Sequence, residues 1–348
     1  MKILKIIFYT FFLTFSFNVS AKNIVILATG GTISGAGNSA IGSKYSASKI
    51  NIDQIVKTIP GITKFADIKA EQLMQIASQD MSSATWLTIA KKVNKVLSES
   101  SVDGVVITHG TDTIEETAYF LNLVVKSKKP VVLVGSMRPS TSLSADGALN
   151  LYNGVALAAS DKAFDKGVLV LMNDEIFAAR DVSKTHTTNV ASFKANNSGA
   201  IGYVHYGKAE IYYNPLRNHT FKTAFDVKKF TSLPKVDIIY SYAGSDFSAV
   251  DNFVASGSKA IILAGVGDGN IDKESLEKLK EARKKGVIIV RSAHLGAGVV
   301  APNVEINDDE FDFVTADNLS PQKARILTML ALTKTSETKK IREMFKIY

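Results

Sequence analysis

Asn23-Ile24-Val25-Ile26-Leu27-Ala28-Thr29-Gly30-Gly31-Thr32 sets the class of the chain, because an apolar run ends abruptly on a hydroxyl and two glycines. A run this short, apolar without alternation, reads as a strand buried on both faces, and such strands belong to parallel sheets covered by helices. The pattern then repeats. Short runs rich in Val and Ile at 68–77, 104–108, 131–135 and 168–172 alternate with segments of helical period at 52–58, 84–98, 113–125 and 145–160. In 84–98 the apolar face is Leu87, Ala90, Val93 and Leu97, and Ser82 or Ser83 stands where an N-cap is needed.

Between 214 and 235 the periodicity lapses around Pro215 and Pro234, and polar or basic residues predominate. A second βα series follows, with strands at 236–240, 260–263 and 287–291 and helices at 246–255 and 273–284, closed by helices at 321–333 and 337–345. The expectation is an α/β chain of two open parallel-sheet domains: a larger one over 22–213, a linker over 214–235 and a smaller one over 236–348. The length of 348 residues agrees with two cores rather than one.

The first 21 residues read separately. Lys2 and Lys5 give a positive start, 6–17 an apolar stretch, and Val19-Ser20-Ala21 a small-residue cleavage pattern, which together predict a secretory signal peptide over 1–21 and a periplasmic or secreted protein. Export permits disulfides, yet there is no cysteine, so disulfides, zinc-thiolate sites and a cysteine nucleophile are excluded. The formal charge of +8 is scattered over helical segments such as 273–285, without the basic stripe and aromatic platforms that nucleic-acid binding needs. No apolar run after the N-terminus reaches the roughly 20 residues of a membrane helix.

In open α/β sheets, ligands bind beyond the carboxyl ends of the strands. The loop after 23–28 exposes Thr32 behind two glycines, the loop after 68–77 holds Ser78-Gln79-Asp80, and the loop after 104–108 holds His109-Gly110-Thr111-Asp112-Thr113, with Glu115-Glu116 at a helix start. A Thr-Asp pair before a helix is ordinarily an N-cap; here hydroxyls, an amide and a carboxylate converge from three loops. Lys184, ordinarily a surface cation, adds the lysine that a proton-transfer relay with a carboxylate and a threonine requires. The loose G-x-G-x-x-A pattern at 35–40 lies several residues beyond the strand and runs into the polar stretch that ends at Tyr45, so it reads as a lid loop and not as a nucleotide loop. The five histidines have no metal-ligand spacing, and no G-x-S-x-G elbow is present. The residues by themselves lead to an α/β enzyme with a threonine nucleophile and no metal or other cofactor.

Ala28-Thr29-Gly30-Gly31-Thr32-Ile33 and Ile107-Thr108-His109-Gly110-Thr111-Asp112-Thr113 resemble the two signature motifs of bacterial L-asparaginases. The resemblance continues through Ser78-Gln79-Asp80-Met81, the stretches 134–140, 170–174 and 264–270, and Asn318-Leu319-Ser320-Pro321-Gln322-Lys323, so it spans the chain after the signal segment. With the signal segment it resembles the exported, type II branch, and it implies a flavodoxin-like N-terminal domain and hydrolysis of asparagine, with glutamine to varying degrees.

The resemblance implies that Thr32 is the primary nucleophile, Tyr45 its partner, and Thr111, Asp112 and Lys184 a second cluster, in an acyl-enzyme double displacement. It implies that Ser78, Gln79 and Asp112 bind the substrate's α-carboxylate and α-ammonium groups. It further implies that Asn270 and Glu305 reach the site of a neighbouring subunit in a homo-oligomer, usually a tetramer. Either Lys184 or Tyr45 serves as first base. Asp268 stands where asparagine is common, and His294 where an arginine often appears. Two rival expectations are a broad-specificity glutaminase-asparaginase and an exported amino-acid-binding protein, which would have no use for Thr32, Tyr45 and a Thr111–Lys184 relay.

Overall fold

A computed structural model of the chain describes residues 21–42, 44–47 and 49–348. The signal-peptide reading therefore lies, except for Ala21, outside the described residues. Two sheets organise the rest. The larger contains β1 (Lys22–Gly30), β2 (Ala66–Ile76), β3 (Gly104–Thr108), β4 (Val131–Val134), β5 (Val168–Met172), β6 (Glu175–Ala178), β7 (Gly202–His205) and β8 (Lys208–Ile211), in the order β8-β7-β6-β5-β4-β3-β1-β2. The smaller contains β9 (Val236–Tyr240), β10 (Ala260–Gly265), β11 (Ile288–Ala293) and β12 (Val314–Thr315), in sequence order and all parallel.

Strands β2-β1-β3-β4-β5 are parallel and have the flavodoxin-like 2-1-3-4-5 order, whose reversal falls between β1 and β3. The larger sheet is dominated by parallel strands, as expected, and β6, β7 and β8 extend it antiparallel. Local turn chemistry explains this. Asn173 and Asp174, at φ 50° and 66°, reverse the chain between β5 and β6 in two residues, and Tyr206 and Gly207, at φ 47° and 76°, do so between β7 and β8. Two-residue turns with both central φ positive match the right-handed twist of paired antiparallel strands.

The helices are α1 (Ile52–Thr58), α2 (Ser83–Leu97), α3 (Ile114–Val124), α4 (Gly147–Ala159), α5 (Ala249–Ala255), α6 (Lys273–Lys284), the single turn α7 (Asp308–Phe311), α8 (Pro321–Ala331) and α9 (Thr338–Ile347). Ser82 caps α2 in a reciprocal box with Thr85, and its predicted face, Leu87, Ala90, Val93 and Leu97, is buried.

Burial along β1 shows why the run from Ile24 to Ala28 is apolar without alternation. Ile24, Ile26 and Ala28 enter the core beneath α1 and α4, whereas Val25 and Leu27 enter the core shared with α2 and α3. Each such buried Ile, Leu or Val side chain contributes about 1.5–3 kcal/mol. That second core runs on through α8 to Ile262 and Val290 of the smaller sheet, so α3 and α8 join the two sheets. The stretch 214–235 is not a solvated tether, because Phe225 and Val227 are buried in this core. A third core, around Ile261, Leu263 and Ile289, covers the other face of the small sheet beneath α5 and α6. No helix among the described residues is long and apolar enough to cross a membrane.

Candidate active site

The carboxyl ends of β1, β2 and β3 meet where the strand order reverses, and glycines bring their loops together. Gly30 and Gly31 lie at φ 109° and 84°, which side chains rarely adopt. A Cβ on Gly31 would lie 2.4 Å from the Gly110 backbone, and one on Gly110 would lie 2.5 Å from Ser78 Oγ. The loops after β1 and β3 thus touch backbone to backbone, with Ser78 of the loop after β2 packed on the second. The Asp112 amide donates to Ser78 Oγ at 3.2 Å, and the Thr113 hydroxyl to the Ser78 carbonyl at 2.7 Å.

Thr32 follows this junction at the start of a 3-10 turn and is buried. Its Oγ1 lies 2.9 Å from Tyr45 OH. Tyr45-Ser46 pairs with Ala36-Gly37, so the predicted lid folds back as a short ribbon that places the tyrosine ring beside Gly35. Tyr45 itself remains 40% exposed.

A second cluster forms on the loop after β3. Lys184 Nζ donates to Thr111 Oγ1 at 3.0 Å and to Asp112 Oδ1 at 2.6 Å. Asp112 is therefore not an N-cap, and Thr113, which is in that position, makes no side-chain cap bond either. The Asp112 side chain is 58% exposed and presents its carboxylate outward, while that of Lys184 is 17% exposed. Lys184 lies within the two-residue strand Ser183–Lys184, paired with Phe193–Lys194.

Residues beyond the predicted set hold that strand. Glu115, in the first turn of α3, accepts the Lys184 amide at 2.9 Å and the Gln322 side-chain amide at 3.2 Å. Lys323, fully buried on α8, donates to the carbonyls of Arg180, at 2.9 Å, and Val182. Burial pushes the Lys323 ammonium down to about 8 against the opposing pull of the Glu115 carboxylate. The sequence signals were present but ambiguous: a glutamate in a first helical turn is ordinarily a dipole partner, and a lysine on a helix is ordinarily solvated.

His109 has a structural environment. Its Nδ1 meets the Gly110 carbonyl at 2.7 Å, and its Nε2 meets the Thr117 hydroxyl, which also accepts from Trp86 Nε1. Burial lowers it to about 4, so it is neutral at ordinary pH. Gln79 stands exposed beside Ser78. Asn270 and Glu305 belong to the smaller-sheet part, and no hydrogen bond or ion pair among the described residues joins either to the Thr32 and Thr111 clusters.

The sequence matches the family described as "Asparaginase, N-terminal" over residues 23–217 and that described as "Glutaminase/Asparaginase C-terminal domain" over 235–345. The chain belongs to the asparaginase family. It is 48% identical to L-asparaginase 2 of Escherichia coli K12 over 330 residues, covering 95% of this chain and 94% of that protein. It is 49% identical to the glutaminase-asparaginase of Pseudomonas fluorescens over 328 residues, covering 94% of this chain and 90% of the other. The crystal structure of a probable cytoplasmic L-asparaginase from Campylobacter jejuni superposes with a TM-score of 0.91 at 51% identity, over 94% of this chain and 100% of that one. In this asparaginase-family chain, both threonine clusters thus sit at the switch point of the larger sheet.

Proposed function

We propose that the protein is an L-asparagine amidohydrolase that works through a threonine ester. The observation that carries the reading is the pair of hydroxyl clusters at one sheet edge: Thr32 against Tyr45 at 2.9 Å, and Thr111 against Lys184 at 3.0 Å. Thr32 Oγ1 attacks the side-chain amide carbon, its proton passing to the Tyr45 or Lys184 side, and backbone donors near Thr111 stabilise the oxyanion. The C–N bond breaks as the departing nitrogen takes up a proton and leaves as ammonia. Water then cleaves the β-aspartyl ester, which releases aspartate and restores the Thr32 hydroxyl.

Ser78 and Gln79 suit the substrate α-carboxylate, and the exposed Asp112 carboxylate suits the α-ammonium. Among the described residues of one subunit, Asn270 and Glu305 make no hydrogen bond or ion pair to these groups, which supports a homo-oligomer, a tetramer in our reading, whose sites are completed across an interface. We take 22–213 and 236–348 as two domains joined by 214–235, and residues 1–21 as an export signal. Recovery of a chain beginning at Lys22 from the periplasm supports export; an unprocessed chain in the cytoplasm refutes it.

A relative named glutaminase-asparaginase at 49% identity keeps a broader specificity in view. The two substrates differ by one methylene, which a pocket discriminates by about 1–3 kcal/mol. Ammonia release from asparagine and glutamine side by side tests both readings. Turnover of asparagine far above glutamine is expected, comparable turnover gives the broader enzyme, and no turnover from a folded oligomer rejects the proposal.

A further inference from the structure

Arg291 on β11 is buried to 1% exposure, and its guanidinium makes five hydrogen bonds. Two form a fork with Asp308, at 2.7 Å from Nε and 2.8 Å from Nη2, and Asp308 is as buried as its partner. Nη1 donates to the carbonyls of Asp268 and Gly269, at 3.1 and 3.0 Å, directly before Asn270. Nη2 also donates to the Ala301 carbonyl at 3.2 Å. Asp308 accepts the Asn303 amide at 2.9 Å, so the loop that carries Glu305 is held at 301, 303 and 308. A further bond ties the two loops directly, from the Ala301 amide to Asp268 Oδ1 at 2.9 Å.

One planar cation therefore sets two loops at once. A lysine, as a point charge on a flexible stem, would keep the ion pair but lose the fan of fixed donors. Among the described residues, Asn270 and Glu305 themselves form no ion pair with this cluster; what is fixed is the backbone on which they stand.

We propose that Arg291 and Asp308 are a positioning pair that presets Asn270 and Glu305 as the two arms one subunit lends to its neighbour's site. This rests on the shared-site reading above. The pair touches no substrate, so its loss should weaken substrate capture more than chemistry.

The test uses the full oligomer. In Arg291→Lys, KM for asparagine is expected to rise about tenfold with kcat within about threefold, at unchanged oligomeric state. Asp268→Ala, which removes only the loop-to-loop bond, should raise KM by about threefold and remains informative if Arg291→Lys does not assemble. Oligomers co-assembled from Arg291→Lys and inactive Thr32→Ala subunits should regain wild-type KM, because an intact nucleophile then meets intact arms. Unchanged KM in both single variants, or mixed oligomers that keep the raised KM, overturns the proposal. Wild-type kinetics in Asn270→Ala and Glu305→Gln, where Arg291 is untouched, would instead reject the shared-site reading on which it rests.

Discussion

Gly31 and Gly110 approach so closely that a methyl group on the first would lie 2.4 Å from Cα and N of the second. This contact brings the loops after β1 and β3, and with them Thr32 and Thr111, to the same place at the sheet edge.

Gly31→Ala should therefore impair both fold and chemistry. The new Cβ meets backbone that has no room to yield, at a φ of 84° that alanine disfavours. A loss of about 1–3 kcal/mol is expected from the strain and overpacking. Because the loops must part, kcat should fall further than the drop in folded fraction accounts for. Denaturant unfolding combined with turnover checks this, and full activity with only the stability loss would separate the contact from the site.

Tyr45→Phe removes the hydroxyl 2.9 Å from Thr32 Oγ1 and leaves the ring beside Gly35. With a proton-transfer partner lost, kcat should drop by about 10²-fold or more while stability changes little. Steady-state kinetics with asparagine measure it, and a kcat near wild type would assign the first proton to the Lys184 side alone.

Glu115 is placed to act through Lys184. Glu115→Ala withdraws the acceptor from the Lys184 amide and from Gln322, so the lysine loses its register against Thr111. A roughly tenfold fall in kcat with a smaller change in KM is expected, with partial rescue by Glu115→Gln, which can still accept the amide. Equal losses in Ala and Gln variants would point to the charge rather than the position.

His109 gives the acid limb of stability a defined direction. Burial lowers its folded value to about 4 from an ordinary 6.5, so between those values the unfolded chain binds a proton that the native state refuses. Its stabilising contribution is complete above about pH 6.5 and is lost as pH falls through that window, by about 3 kcal/mol in all. Urea unfolding at pH 7 and pH 4.5 should show a smaller loss in His109→Gln than in wild type; equal losses would remove His109 as the source.

Much of this was legible in the residues. The run from Ile24 to Ala28 announces a doubly covered strand because both faces of β1 are buried, and hydroxyls and a lysine near strand ends single out Thr32, Thr111 and Lys184, of which the last two meet at 3.0 Å. The antiparallel extension was not, although Asn173-Asp174 and Tyr206-Gly207 carry the turn chemistry, because β6 to β8 are four residues each and too short for a period to stand out. Glu115, Lys323 and Arg291 escaped for another reason. A charged residue becomes a buried tie only through partners distant in sequence, such as Val182 for Lys323, and local pattern carries no trace of them.

The most direct test of the threonine-ester account is to acid-quench the enzyme during asparagine turnover and map which peptide carries the aspartyl group. An ester on the peptide that contains Thr32, formed and lost at rates consistent with kcat, is the predicted result. An ester on the Thr111 peptide instead, or none at any quench time, would contradict the account.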